Sequence, residues 1–265
     1  MRRMTGGRLV SANWMDLERE LETWGSGNRA ATLWWRDDDA VRVTGALDQL
    51  LDLASGTPLS LAVIPGRVAE DDAGALADRL TRHGAATVLQ HGWMHINHAP
   101  SDAKKAELGA QRPAATVLAE LARGWQRLAA LFGRLALPVL TPPWNRIAAT
   151  LPPLLHQAGY IGLSTAGPRA RREPGPGLVQ VNTHADLVAW PAHRFVGTDT
   201  ALGLIVGHLA SRRAGTADAA EPTGLLTHHL VQDRETAGFI ARLLSVTRRH
   251  QAARWIGAAE AFAAS

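Results

Sequence analysis

Cysteine is absent from the 265 residues, which excludes disulfide bonds, thiolate zinc sites and a cysteine nucleophile. No apolar run is long enough to cross a bilayer, so we expect no membrane span. Two arginines near the start of the chain are not followed by the apolar run of a secretory signal peptide. From these absences we expect a soluble, cytoplasmic protein.

Charge of one sign is not concentrated anywhere in the chain. The sequence has 28 Lys and Arg against 24 Asp and Glu, and like charges do not form long blocks. The arginine-rich stretch at 169–172 has no neighbouring aromatic residues and is interpreted as a solvated loop. We therefore expect no nucleic-acid partner. With 46% hydrophobic and 20% charged residues, the chain is predicted to be globular.

Short apolar runs alternate with segments of helical periodicity along the chain. An amphipathic helix is predicted first, at 14–24, with Asn13 as its N-cap. Strands are then predicted at 31–36, 59–64, 86–90, 137–141, 160–164, 178–182 and 224–227, with a short eighth strand at 254–256. Helices are predicted between most of these strands, and such a repeat is typical of a parallel sheet in an α/β protein.

Two architectures fit this repeat: an open doubly wound sheet and a (β/α) barrel. The length suits a barrel, and no glycine-rich fingerprint for a dinucleotide follows the first strand. We predict an α/β fold, a (β/α) barrel of about seven strands. Residues 1–30 are predicted to form an N-terminal helical extension, and residues 31–265 a single barrel domain.

Carboxylates and imidazoles follow two of the predicted strands. Asp37, Asp38 and Asp39 follow the first strand, and His91 and His95 follow the third. In either architecture the carboxyl ends of the strands meet at the active-site edge of the sheet. Adjacent carboxylates repel one another unless something uses them. One aspartate with two histidines is a donor set for a divalent metal that leaves positions open for water.

Other predicted strands end in residues of the same kinds. The fourth is followed by a segment from Thr141 to Arg146, and the sixth leads into His184, Asp186 and Trp190. The seventh ends at His228 and His229. Each of these residues taken singly is more often structural, but their occurrence at several strand ends indicates an active site.

These segments, in this order, resemble the motifs of the polysaccharide deacetylase family, carbohydrate esterase family 4. The resemblance spans roughly residues 31–256 and implies a distorted (β/α) barrel that removes acetyl groups from N-acetylated sugars with a divalent metal. The first motif matches residues 36–40, which would make Asp38 the catalytic base and Asp39 a metal ligand. The second motif, His-x-x-x-His, would make His91 and His95 the other two ligands.

The remaining motifs of the family are matched more loosely. The fifth matches residues 225–228 and would make His228 the general acid that protonates the leaving amine. The third and fourth motifs imply a sugar-binding surface. To this surface we assign Trp93, Pro143, Trp144, Arg146, Asp186 and Trp190.

Two departures from the family pattern leave alternatives open. Thr141 stands where the family has an arginine that contacts the base, and either Arg36 or Arg146 could supply that charge. The run of three aspartates also allows a shift of one residue.

In the shifted register Asp37 would be the base and Asp38 the ligand. For the same reason His229 competes with His228 for the role of acid.

The resemblance implies a metal-dependent hydrolase that removes an N-acetyl or related acyl group from a carbohydrate. One divalent metal is expected, Zn²⁺ before Co²⁺ or Ni²⁺, and the expected partner is an N-acetylated sugar or oligosaccharide. The alternatives are a catalytically inactive glycan-binding barrel and another metallohydrolase that acts on a small amide or ester.

Overall fold

The computed structural model describes residues 11–263. The first ten residues, including the start of the expected N-terminal extension, and the last two lie outside this range. Within it, no helix is both long and apolar enough to cross a membrane.

A nine-stranded sheet with helices packed against it makes up the fold. Eight of its strands follow the path β6-β5-β4-β3-β2-β1-β10-β7, and β11 pairs with β1 off this path. A separate two-stranded sheet pairs β8 with β9. The strands are β1 (Ala31–Ala40), β2 (Leu59–Val63), β3 (Ala86–His91), β4 (Ala136–Thr141), β5 (Gly162–Leu163), β6 (Val179–Gln180), β7 (Ala185–Asp186), β8 (Val188–Ala189), β9 (Arg194–Phe195), β10 (Thr223–Thr227) and β11 (Ala253–Trp255).

All the pairings in the large sheet are parallel, as expected for strands joined by helical crossovers. The sheet curls into a half-barrel, so the prediction of a distorted (β/α) barrel is confirmed. Because the strands are parallel, their carboxyl ends lie at the same edge of the barrel. The aspartates and histidines that the sequence analysis singled out lie at several of these strand ends.

In residues 11–263, seven α-helices accompany the strands. They are α1 (Trp14–Ser26), α2 (Gly45–Leu53), α3 (Glu70–His83), α4 (Ala114–Phe132), α5 (Thr198–Ala214), α6 (Arg234–Arg249) and α7 (Ala258–Ala261). The predicted N-cap Asn13 accepts hydrogen bonds from the first turn of α1 in a capping box. The segment Pro152–Ala158 is a 3-10 helix rather than the predicted α-helix, and two prolines occupy its first turn.

The two faces of β1 pack against different layers. Trp34 belongs to a cluster with Leu89 and Val139 of neighbouring strands and Phe262 after α7, whereas Trp35 lies in the larger core beneath the helices. Leu17, Leu21 and Trp24 of α1 are buried in that same larger core, so α1 packs onto the barrel. Successive residues of β1 therefore point alternately into the barrel and toward the helices.

The first strand is longer than the sequence indicated. We expected it to end at Arg36, with the three aspartates in the following turn, but β1 continues to Ala40. The longer strand is held by β10, whose Thr227 pairs with Asp37. Its register with β2 shifts between Asp37 and Ala40, which marks an irregularity at the aspartates.

Candidate metal centre and active-site cavity

A cavity of about 530 Å³ opens at the carboxyl edge of the barrel. Its walls come from the ends of β1, β3 and β7 and from segments that follow β3, β4, β5, β8 and β10. It is lined by Asp38, Asp39, His91, His95, Lys105, Trp144, Asn145, Arg146, Ala166, Asp186, Trp190, His193 and His228. Most of the residues proposed from the sequence therefore lie around one space.

Unusual backbone conformation is concentrated in this cavity. Of the six residues other than glycine that have positive φ in the described chain, five line it. They are Asp39, His95, Trp144, Asn145 and His193. Residues that occupy the left-handed region at some energetic cost are often found at functional sites, where the surrounding structure holds them in place.

Asp39, His91 and His95 converge in the cavity. Oδ1 of Asp39 lies 3.1 Å from Nε2 of His91 and 3.3 Å from Nε2 of His95. The ligand atoms of all three side chains lie within 4.8 Å of one another. Burial acts to raise the pKa of Asp39, but the hydrogen bond and the charges of the histidines outweigh it and hold this pKa well below its ordinary value.

Thr141 orients the first histidine. Nδ1 of His91 lies 3.0 Å from the carbonyl oxygen of Thr141 and 3.1 Å from its Oγ1. Because Oγ1 donates its own proton to the carbonyl of Gln90, Nδ1 of His91 is the donor in this contact. In the neutral imidazole this leaves the lone pair on Nε2, directed at Asp39.

This arrangement fits a divalent cation. In the neutral form of His91 the lone pair of Nε2 faces a carboxylate oxygen, a contact that is repulsive unless a positive charge lies between them. Without a metal that charge can be a proton: burial acts to lower the pKa of His91, but Asp38 and Asp39 outweigh it and raise this pKa. Burial lowers the pKa of His95, which keeps it in the neutral form that binds metals.

Asp38 lines the same cavity as Asp39, His91 and His95, and it forms an ion pair with Arg36. Nε of Arg36 is 2.8 Å from Oδ1 of Asp38, and Nη2 is 3.0 Å from Oδ2. The guanidinium also donates to Oγ of Ser164 at 2.7 Å and to Oδ1 of Asn145 at 2.6 Å. Arg36 thus supplies the positive charge beside Asp38, for which the sequence left both Arg36 and Arg146 open. The other candidate, Arg146, donates to the carbonyl of Lys105 instead.

His228 lines the same cavity as Asp39, His91 and His95. Its Nε2 is 4.0 Å from Oδ2 of Asp38. The indole of Trp190 packs edge-on against its ring, with centroids 4.6 Å apart, and donates from Nε1 to Asp186 at 2.8 Å. Burial raises the pKa of Asp186, partly offset by the nearby charge of His228. Asp186 and Trp190 therefore lie beside His228.

Two residues that we assigned to the sugar surface do not line the cavity. The ring of Trp93 lies against the guanidinium of Arg123 on α4, 4.5 Å from ring centroid to Cζ, and so packs on the outer helix. Pro143 is buried against Gly92. The sequence could not decide these orientations, because the turn after each strand determines which side chains face inward.

The alternates Asp37 and His229 lie together outside the cavity. Asp37 follows Arg36 in β1 and points to the opposite face, where it pairs with His229. His228 faces the cavity and His229 does not. The observed geometry thus joins Asp39, rather than Asp38, to the two histidines.

The sequence interpretation missed several residues at the site. Asn145 and Ser164 hold Arg36. Asn145 lies in the segment already noted after the fourth predicted strand and Ser164 ends the fifth, but neither was assigned a role. Lys105 and His193 lie in loops and carry no such signal. Glu107, buried behind the site, lies in the polar stretch after His91, to which no role was assigned.

A second group of possible ligands comprises His184, His208 and Glu221. Nδ1 of His184 accepts the N–H of Gly224 at 2.9 Å, so the proton of the neutral ring is on Nε2, which has no lone pair for a metal. The two imidazoles stack with centroids 3.3 Å apart and planes 15° apart. One ion cannot lie in both ring planes, and we interpret this group as structural.

No family model matches the sequence. No curated protein matches it either. Solved structures do match. A CE4 esterase of Streptococcus mutans superposes with a TM-score of 0.55 at 12% identity, covering 94% of this chain and 92% of that one.

Two further solved structures are similar to the same extent. The peptidoglycan deacetylase PdaC of Bacillus subtilis has a TM-score of 0.53 at 13% identity, covering 88% of this chain and 90% of its own. The Xyl-CE4 domain of a multidomain xylanase, from the hindgut metagenome of Trinervitermes trinervoides, has a TM-score of 0.53 at 12% identity with the same coverage. The resemblance to carbohydrate esterase family 4 is confirmed in the fold.

Proposed function

We propose that this protein is a metal-dependent hydrolase that removes an N-acetyl or related acyl group from a carbohydrate. The observation that carries the proposal is the convergence of Asp39, His91 and His95 in a cavity that also presents Asp38 and His228. A metal-binding group, a carboxylate and an imidazole around one space are the components that hydrolysis of an amide requires.

Asp39, His91 and His95 are proposed to hold one divalent metal. Carboxylate and imidazole donors suit Zn²⁺, Co²⁺ or Ni²⁺, and Zn²⁺ is our first expectation. Such an ion lowers the pKa of a bound water and polarises the acyl carbonyl. Three protein ligands leave coordination positions open for water and substrate.

Asp38 is proposed to be the general base. It lies next to Asp39 in sequence, lines the cavity, accepts a hydrogen bond from Nη2 of Arg36 and lies 2.8 Å from Nε of the same guanidinium. The bidentate contact fixes the plane of its carboxylate, so that its orientation toward an attacking water is set before the substrate arrives. The same contact removes the main support for an inactive glycan-binding barrel, which was the apparent lack of an arginine at the base.

His228 is proposed to be the general acid. The nitrogen that leaves an amide must be protonated, because an amine anion is too poor a leaving group. His228 faces the cavity and lies near Asp38, so a base and an acid are available to the same substrate.

The cavity walls support a carbohydrate as substrate. Trp144 and Trp190 present aromatic surface to the cavity, and Asn145 and Arg146 add polar groups to its wall. Aromatic rings that pack on apolar sugar faces, together with a few placed polar groups, suit a carbohydrate ligand. The structural neighbours named above include a peptidoglycan deacetylase and a carbohydrate esterase, which agrees with this substrate class.

The test is metal content with acetate release. The wild type should bind about one equivalent of Zn²⁺ or Co²⁺ and release acetate from N-acetylglucosamine oligomers. Asp39→Ala and His95→Ala should lose both properties, whereas Asp38→Asn should keep the metal and lose turnover. Asp102→Ala, on an exposed loop, is the matched control and should keep both.

Wild-type protein that takes up no metal would refute the hydrolase. Metal binding without release of acetate from any N-acetylated sugar would instead favour a metallohydrolase with another amide or ester substrate. An Asp38→Asn variant that retains turnover would remove Asp38 from the role of base.

A further inference from the structure

A buried carboxylate lies behind the loop that joins the two histidines of the metal-binding group. Glu107 is 1% exposed. Its Oε1 accepts the backbone N–H of Met94 at 2.7 Å, and its Oε2 accepts that of Trp93 at 3.1 Å. Both N–H groups lie between His91 and His95, so one side chain fixes the backbone between two proposed ligands.

This carboxylate has no cationic partner among the residues that the structure describes. No lysine, arginine or histidine nitrogen of residues 11–263 lies within 4.0 Å of it. Burying a carboxylate without an opposite charge costs free energy of desolvation, and hydrogen bonds from backbone N–H groups offset that cost only in part. A positive charge at the nearby metal site would offset the rest of the cost of burying Glu107.

The loop is shaped around Glu107. Gly92 has φ +57°, and a Cβ atom there would lie 2.0 Å from Oε2 of Glu107. Only glycine provides both the conformation and the space at this position. Three residues later His95 also has positive φ, which turns its imidazole toward Asp39. The glycine inside the His-x-x-x-His motif is thus explained by the carboxylate behind it.

We propose that Glu107 is a positioning residue for the metal centre: it holds the loop so that His95 faces Asp39, and it adds negative charge behind the ligands. The inference rests on the proposed metal site. Groups that orient metal ligands without touching the metal typically contribute 10- to 100-fold, roughly, to metal affinity. Glu107 would increase the metal affinity through its hydrogen bonds to the backbone between the ligands, rather than through a hydrogen bond to an imidazole.

The test is Co²⁺ binding followed by visible absorption and titration. Glu107→Gln keeps the size of the side chain, but its amide N–H₂ would face the N–H of Trp93. We expect the dissociation constant for Co²⁺ to rise by about 10- to 100-fold and the cobalt absorption bands to shift. Glu120→Gln is the matched control, because Glu120 pairs with Arg112 away from the cavity, and it should bind Co²⁺ like wild type.

A second variant covers the case in which Glu107→Gln does not fold. Glu107→Asp keeps the charge but is too short to accept both N–H groups, so its affinity should fall between those of Glu107→Gln and wild type. Folding is checked by circular dichroism of the metal-free proteins. A folded variant at Glu107 with the wild-type affinity and spectrum would overturn the inference. Wild-type protein that binds no Co²⁺ would overturn the metal site itself, and this inference with it.

Discussion

Asp37 and His229 form a buried pair on the outer face of β1, with Nδ1 of His229 2.5 Å from Oδ1 of Asp37. Oδ2 of the same carboxylate accepts Oγ1–H of Thr227 at 2.7 Å and the backbone N–H of His229 at 3.0 Å. Burial acts to lower the pKa of His229, but Asp37 outweighs it and raises this pKa. The pair therefore joins β1 to the end of β10 from behind the cavity.

Replacing Asp37 with Asn should destabilise the fold without removing the metal. The variant loses a charge-assisted hydrogen bond in a buried site, at a cost of about 1–3 kcal/mol. Urea denaturation should report this loss, while Co²⁺ affinity and turnover of the folded protein should change little. If Asp37→Asn instead abolished turnover at unchanged stability, Asp37 would be the base, as in the shifted register of the motif.

Replacing Arg36 with Lys should reduce turnover and spare metal content. Lysine keeps the charge but cannot make the two parallel contacts to Asp38, so the carboxylate loses its fixed orientation. We expect kcat/KM to fall by about 100-fold, as for other small misplacements of catalytic groups. Arg146→Lys is the contrasting variant, and its effect should be smaller and confined to KM. Equal effects of the two variants on kcat would contradict the assignment of Arg36.

Trp190 should affect the acid step more than substrate affinity. Its Nε1 donates to Asp186, and its ring packs perpendicular to that of His228. Trp190→Phe replaces the indole with a smaller aromatic ring that has no N–H, so Asp186 loses a hydrogen bond close to the proposed acid. We expect a lower kcat with little change in KM. A change in KM alone would make Trp190 a sugar-stacking residue only.

Acid should destabilise the protein through His208. Burial, with smaller contributions from the charges of His184 and Arg212, lowers the pKa of His208 from 6.5 to about 2. Below pH 6.5 the unfolded chain therefore binds a proton that the folded protein does not, so the free energy of unfolding falls as the pH falls. From about pH 7.5 to about pH 5.5 the loss from this group should be about 1.4 kcal/mol.

Urea denaturation of wild type and of His208→Gln at the two pH values measures this loss. The variant has no group at position 208 to titrate, so its free energy of unfolding should depend less on pH. Burial also lowers the pKa of His184. This residue remains in the variant and accounts for part of the pH dependence that is left. An identical loss in both proteins would show that His208 is not the group responsible.

The alternation of apolar runs and helical segments was sufficient to predict most of the fold. Strands such as β2 and β10 are short, apolar and bounded by turn residues, and each lies within a residue or two of its predicted range. The parallel arrangement follows from the helical crossovers between them. Because parallel strands end at a common edge, the sequence also predicted that an aspartate of the run 37–39 would lie with His91 and His95, and Asp39 does.

The choice among neighbouring residues was decided only by the tertiary structure. The sequence left Asp37 and Asp38 as competing bases because three adjacent aspartates allow the motif to shift by one residue. Because β1 continues past Arg36, its period of two places Arg36 and Asp38 on one face and Asp37 on the other. The positive φ of Asp39, at the irregularity in the strand, then brings a further carboxylate into the cavity.

The supporting residues also depend on contacts between segments far apart in the chain. Arg36 reaches Asn145 and Ser164, more than a hundred residues away in sequence, because β1, β4 and β5 curl around the same space. No local pattern indicates that Glu107 fills the space beside Gly92, since periodicity and capping describe only neighbours along the chain. The sequence thus determined which residue types meet at the carboxyl edge, and the curl of the sheet with its loops decided which of them face one another.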